Sequence, residues 1–175
     1  MIFTETRLPG VVVVELEPVA DERGFFARSW CQKEFASHGL NSNLAQCNIS
    51  FNPRKGTLRG MHYQAAPYYE AKLVRCTMGS IHDVVVDIRP DSSTFRQWFA
   101  IELTAQNRKM LYMAEGFAHG YQTLEENCEV FYQVSEFYRP ELARGVRWDD
   151  PAFGIDWPIR NPILSDKDRE CPFMP

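Results

Sequence analysis

Lys72-Leu73-Val74-Arg75-Cys76-Thr77, then Met78-Gly79-Ser80, then Ile81-His82-Asp83-Val84-Val85-Val86-Asp87-Ile88: two apolar, β-branched runs flank a compact turn signal. Such runs, broken by a glycine-centred turn, read as paired strands rather than as helix. The same grammar extends in both directions. Val11 to Leu16 lies between Pro9-Gly10 and Pro18, and Phe25 to Trp30 follows Asp21-Glu22-Arg23-Gly24. Asn48 to Phe51 stops at Asn52-Pro53, and Thr57 to Gln64 stops before Pro67. Trp98 to Leu103, Lys109 to Met113 and Val130 to Phe137 complete the set. Short strands at close spacing, separated by Gly, Pro, Asn and Asp, predict an all-β sandwich or barrel. Helical signals are few: Gln32 to His38, stopped by Gly39, and one turn over Pro140 to Arg144 before Gly145. Without strand–helix alternation a parallel α/β sheet is not expected.

The 175 residues, 45% apolar and 24% charged, suit one globular domain spanning 1–175 and exclude wholesale disorder. No apolar run is long enough for a membrane helix, and Met1-Ile2-Phe3-Thr4-Glu5 does not open a secretory signal. A net charge of −4, from 19 basic and 23 acidic residues, gives no global pull toward nucleic acid. Cys31, Cys47, Cys76, Cys128 and Cys171 are odd in number and irregularly spaced. They read as free thiols of a cytoplasmic protein. The segment from Trp148 onward carries Phe153, Ile155 and Trp157 and is expected to pack as ordered coil. Twelve Phe, seven Tyr and four Trp suit a barrel lumen lined with large side chains.

The densest polar signal is Leu58-Arg59-Gly60-Met61-His62-Tyr63-Gln64. On a regular strand Leu58, Gly60, His62 and Gln64 share one face, and Arg59 points away unless Gly60 marks a bulge. Alone, His62 reads first as a hydrogen-bonded structural histidine and second as a base. In Ala114-Glu115-Gly116-Phe117-Ala118-His119-Gly120, two glycines bracket His119. There a turn with a capping histidine and a presented functional imidazole weigh equally. Lys72 is either a solvated strand end or a donor to a developing oxyanion. Tyr132 is either core or a general acid. Ser165-Asp166-Lys167-Asp168 reads as a charged surface turn before it reads as a source of a carboxylate for histidine.

The first two segments resemble those of cupins, the double-stranded β-helix or jelly-roll fold. Metal-binding cupins carry H-x-H where this chain has His62-Tyr63-Gln64. His62, His119 and Glu70 can make up a two-His, one-carboxylate set. A metal-dependent cupin oxygenase is therefore one alternative, ranked below metal-free chemistry.

Taken in order, the motifs resemble the dTDP-4-dehydrorhamnose 3,5-epimerase family. They run from Asp21-Glu22-Arg23-Gly24-Phe25-Phe26 and Gln46-Cys47-Asn48 through Arg59 to Gln64 and Lys72-Leu73-Val74. Gly79, Asp83, Asp87-Ile88-Arg89, Ser92, Gly116 to Gly120, Tyr132, Tyr138, Asp149-Asp150-Pro151, Ile155-Asp156-Trp157-Pro158 and Ser165 to Asp168 follow. The resemblance implies a cupin-type jelly roll, a homodimer, no cofactor and no metal. It implies epimerisation of a nucleotide-diphosphate 4-keto-6-deoxy sugar at C3 and C5, for deoxysugar and surface polysaccharide biosynthesis. It assigns His62 as base, Asp168 as its orienting carboxylate, Lys72 as enolate stabiliser and Tyr132 as acid. It puts Arg23, Arg59, His119 and Lys167 near the pyrophosphate or sugar, Gln46 and Asn48 in the nucleotide pocket, and Phe25 and Tyr138 on the base. Two positions depart from the family: Arg28 and Ala143 stand where it typically has glutamates that contribute to nucleotide contacts. A guanidinium for a carboxylate reverses the hydrogen-bond pattern. A single-centre epimerase acting on a CDP- or GDP-linked sugar is thus a further alternative, and a non-catalytic sugar-binding cupin the last.

Overall fold

In a computed structural model, which describes residues 1–174, the chain forms two antiparallel sheets face to face. The first holds β1 (Ile2–Glu5), β2 (Val11–Glu15), β10 (Met110–Met113), β7 (Lys72–Met78), β12 (Cys128–Val134) and β5 (Gln46–Asn52), in that spatial order. The second holds β13 (Ala143–Gly145), β6 (Leu58–Gln64), β11 (Phe117–Thr123), β8 (Ser80–Asp87) and β9 (Trp98–Thr104). A separate hairpin pairs β3 (Val19–Asp21) with β4 (Gly24–Phe26). Helices α1 (Gln32–Ser37) and α2 (Asp166–Arg169) are short. This is the expected all-β, cupin-like jelly roll.

The strands are apolar on both faces because both faces are covered. Val11 and Val13 point between the sheets with Val74, Cys76, Ile81, Val85, Leu111 and Val130. Val12 and Val14 point outward and pack with Leu73, Met110 and Phe35 of α1. On the opposite side Val84, Val86 and Ala118 lie beneath Val146, Phe153, Ile155 and Trp157. The segment from Trp148 on therefore packs as ordered coil, as its aromatics require, with Trp157 Nε1 donating to the Trp148 carbonyl at 2.9 Å.

Four readings of the sequence are corrected. Strand structure after Gly24 stops at Phe26, because its partner β3 has only three residues to offer. Pro140 to Arg144 is not helical: Leu142 and Ala143 N–H close a turn on the Arg139 carbonyl, and 143–145 then pair with the edge of β6. His119 sits within β11 rather than on a turn. The turn ends at Gly116, and Gly120 serves another purpose: a Cβ there would lie 2.9 Å from Gly60 Cα and 2.6 Å from Met61 Sδ. Ser165 to Asp168 is the N-terminal end of α2, with Ser165 Oγ accepting from the Asp168 N–H at 3.1 Å.

Candidate active site

Alternation along the strands turns one interior into two environments. On β7 the inward positions run Lys72, Val74, Cys76; on β12 they run Val134, Tyr132, Val130, Cys128. One end of the space between the sheets is thus dry core and the other a polar cavity. The cavity has two adjoining lobes. One, of about 390 Å³, is lined by Gln46, Asn48, His62, Lys72, Tyr132 and Tyr138, among others. The other, about 170 Å³, shares His62, Lys72 and Tyr132 and adds Ser50, Arg59, His119 and Tyr121.

Arg59 and His62 reach the same cavity because β6 is bulged. Against β11, His62 pairs with His119 and Arg59 with Tyr121, so β6 spends three steps where β11 spends two. The extra residue cancels the alternation that would have sent Arg59 outward. Gly60, at φ +149°, makes this possible, since a Cβ there would sit 2.5 Å from Gly120 Cα.

Each polar group is fixed by a partner behind it. His62 Nε2 lies 2.6 Å from Asp168 Oδ1, across 106 residues of sequence. With the Nε2 proton shared toward that carboxylate, Nδ1 keeps a lone pair. Burial pushes the Asp168 carboxyl up, but hydrogen bonds from His62, Ser165 and the Gly60 N–H outweigh it and leave it below the ordinary carboxylate value. His119 Nε2 lies 2.8 Å from Asp83 Oδ1, and Asp83 is fully buried. Arg59 Nε donates to Asn52 Oδ1 at 2.7 Å, and Asn52 Nδ2 donates to the Tyr121 hydroxyl at 3.2 Å. Lys72 Nζ sits 3.0 Å from Glu70 Oε1. The Tyr132 phenol is raised above its ordinary value, first by burial and then by the charge of Glu70, with Arg59 opposing.

The set anticipated from sequence divides. His62, Lys72, Tyr132, Arg59, His119, Gln46, Asn48, Tyr138 and Lys167 all line the cavity, with Asp168 directly behind His62. Arg23, Phe25 and Arg28 do not. Arg23 is exposed and paired with Asp21 at 2.5 Å, Phe25 lies under the Arg108 guanidinium, and Arg28 pairs with Glu34 at 3.0 Å. The metal-ligand set of His62, His119 and Glu70 is also not formed. The two imidazoles are held by Asp168 and Asp83, and Glu70 by Lys72. Among the described residues no cluster of three His, Cys, Asp or Glu is arranged to hold an ion. Gln64, standing where metal cupins have their second imidazole, has its amide engaged with the Tyr68 and Phe137 carbonyls and the Arg139 N–H.

Sequence reasoning missed the role of Asp83. The signal was available: an aspartate inside the apolar run Ile81 to Ile88 must find a cationic or donor partner. It also missed the Asn52–Tyr121 support of Arg59, which depends on contacts across strands and leaves no local mark.

Fold and lining together define a cupin-type jelly roll whose interior is an acid–base pocket with a positively charged rim. The particular family follows from comparison with known proteins. Residues 5–175 match the family of dTDP-4-dehydrorhamnose 3,5-epimerases, and the chain belongs to it. It is 44% identical to the dTDP-4-dehydrorhamnose 3,5-epimerase of Shigella flexneri, over 96% of this chain and 93% of that one. The crystal structure of the Bacillus anthracis dTDP-4-dehydrorhamnose 3,5-epimerase with TDP and PPi bound superposes with a TM-score of 0.95. It has 39% identity and covers 99% of both chains. The Legionella pneumophila dTDP-6-deoxy-D-glucose-3,5-epimerase, in complex with dTDP-4-keto-L-rhamnose, gives 0.92 at 34% identity, over 98% of this chain and 92% of that one.

Proposed function

We propose that this chain epimerises a dTDP-linked 4-keto-6-deoxy sugar at C3 and C5, in deoxysugar synthesis, by proton transfer alone. The observation that carries the reading is the shared cavity of an Asp-held imidazole, an ammonium and a phenol. A ketone acidifies the C–H bonds on either side of it. His62 Nδ1 takes one such proton, and the electron pair moves to the C4 oxygen as an enolate. The Lys72 ammonium, a donor held in place, stabilises that oxygen. Asp168 holds the imidazole and stabilises the imidazolium it becomes. Tyr132, kept protonated by its surroundings, returns a proton to the opposite face of the carbon. Inversion needs an acid and a base on different faces, because one group alone returns the proton it took. Arg59, His119 and Lys167 supply the charge that a nucleotide diphosphate requires. Gln46, Asn48 and Tyr138 line the lobe open to the nucleotide.

The working unit is one domain over residues 1–175 and a cytoplasmic homodimer. Supporting the dimer, edge strand β5 exposes Ile49 and Phe51, and the β3–β4 hairpin exposes Val19 and Phe26 at 72% and 73%. A hairpin docked on a second copy also gives Arg23 and Phe25 a substrate to meet. No helix is long and apolar enough to cross a membrane, and all five cysteines are free thiols.

One observation favours a second reading at the nucleotide. Ala143 lies in the cavity wall and offers no carboxylate there, so a CDP- or GDP-linked sugar remains a substrate to compare. The test is proton NMR in deuterium oxide with dTDP-4-keto-6-deoxyglucose and its CDP and GDP counterparts. Deuterium at both C3 and C5 with inverted products is expected for dTDP. Exchange at one carbon alone would make it a single-centre enzyme, and exchange at neither would end the reading.

A further inference from the structure

The cavity contains a carboxylate that the proton transfers above do not use. Glu70 is nearly buried, with its side chain 13% exposed against 11% for Lys72 beside it. Its segment is clamped at both ends. Gln64 Nε2 donates to the Tyr68 carbonyl at 2.6 Å, and the Arg139 guanidinium lies 3.6 Å over the Tyr68 ring. On the other side the Ala71 N–H donates to Ser135 Oγ at 2.8 Å, and the Ser135 N–H to the Ala71 carbonyl at 3.0 Å. The backbone is therefore tied to Gln64 on one side of Glu70 and to Ser135 on the other before any substrate arrives.

Resting on the epimerase reading above, we propose that Glu70 is a positioning residue: its carboxylate holds the Lys72 ammonium oriented at the point where the reacting ketone oxygen is received. A lone ammonium in a mostly buried site loses its hydration and tends to turn away toward water. A carboxylate at ion-pair distance removes that tendency. The surrounding charges make that support necessary. Arg59 and His62 from β6, His119 from β11, Arg144 from β13 and Lys167 from α2 all face the same two lobes. They are cationic or can become so. Among the described residues Glu70 is the one acidic side chain lining either lobe. It also favours the protonated Tyr132 phenol, so one carboxylate supports both partners of the ketone and the returning proton.

The experiment compares Glu70→Gln, Glu70→Asp, Lys72→Met and the double variant Glu70→Gln/Lys72→Met, each checked for a native melting curve. Glu70→Gln is expected to lower kcat about 10-fold or more with KM within about 3-fold. Its alkaline limb should move to lower pH, because a charge that opposes the phenolate is gone. Glu70→Asp should recover most of kcat. At pH values where Tyr132 stays protonated, Glu70→Gln should add nothing in the Lys72→Met background. Wild-type kcat in Glu70→Gln, additive losses in the double variant, or equal damage from Gln and Asp would each overturn the proposal. The pairing is read separately from turnover by acetic anhydride labelling of Lys72, followed by peptide mass spectrometry. Faster labelling in Glu70→Gln than in wild type and Glu70→Asp is expected, and unchanged labelling overturns the pairing. An inactive wild type with a protected Lys72 would count against the epimerase reading and leave the ion pair standing.

Discussion

The cavity wall and the β3–β4 hairpin carry equally strong motifs in the sequence, yet the fold treats them oppositely. In the wall, His62, His119, Arg59 and Lys72 each have a partner within 3.0 Å, and those of the two imidazoles, Asp168 and Asp83, come from distant segments. On the hairpin, Arg23 meets only its neighbour Asp21, and Phe26 faces solvent. Groups that must act on a carbon within a fraction of an ångström are preorganised inside one chain. Of the groups proposed to grip the phosphate or the base, Arg59, His119, Lys167 and Tyr138 line the cavity of this one chain, whereas Arg23 and Phe25 rest on an element that this chain alone leaves uncovered. The contrast separates the proposed chemistry, which one protomer can build, from part of substrate capture, which on our reading takes two.

Substitutions can break that contrast, beginning with the largest effect. His62→Ala is expected to cut solvent exchange at both carbons by roughly 10³-fold, read by NMR in deuterium oxide; persistent exchange would remove its role as base. Asp168→Asn should keep the fold and cost about 10²-fold in kcat, with KM little changed. Tyr132→Phe should slow net inversion by tens of fold while exchange continues. Because the phenol is raised above its ordinary 10.0, the alkaline loss of activity should lie above pH 10 in wild type and vanish in this variant. Equal loss of exchange and inversion would make Tyr132 structural. Gly120→Ala tests the bulge: the new methyl meets Gly60 and Met61, so a loss of about 1–3 kcal/mol is expected in chemical denaturation. The smallest effect belongs to the hairpin. Arg23→Ala should raise KM about 5-fold at unchanged kcat and unchanged stability. Phe26→Asp should shift the proposed dimer toward monomer in sedimentation with the same rise in KM. A hairpin variant that lowered kcat as His62→Ala does would erase the distinction.

Much of this was legible in the residues themselves. The strands β2, β7 and β8 announce themselves because covered sheets need apolar side chains on both faces. α1 is marked by its stop at Gly39. Less legible were β13, whose local pattern suits a turn of helix, and β11, whose glycines suggested a loop. In both cases pairing to β6 overrides local preference, since an unpaired buried edge costs more than propensity supplies. Within the site, the residue types were readable and the pairs only partly so. Asp168 was reached by resemblance, Asp83 could have been inferred from burial of a charge, and the Glu70–Lys72 pair was hidden behind a metal-ligand reading.

By itself, then, the amino-acid order determined an all-β sandwich or barrel, which family resemblance narrowed to a jelly roll, and a kit of imidazole, ammonium, phenol and guanidinium, since periodicity and side-chain chemistry are local properties. Tertiary structure alone decided that one extra residue at Gly60 turns Arg59 inward beside His62, and that a carboxylate 106 residues away closes on the imidazole. It alone left Arg23 and Phe25 outside the cavity. Register and long-range hydrogen bonds depend on which strands meet, and no stretch of sequence contains that information on its own.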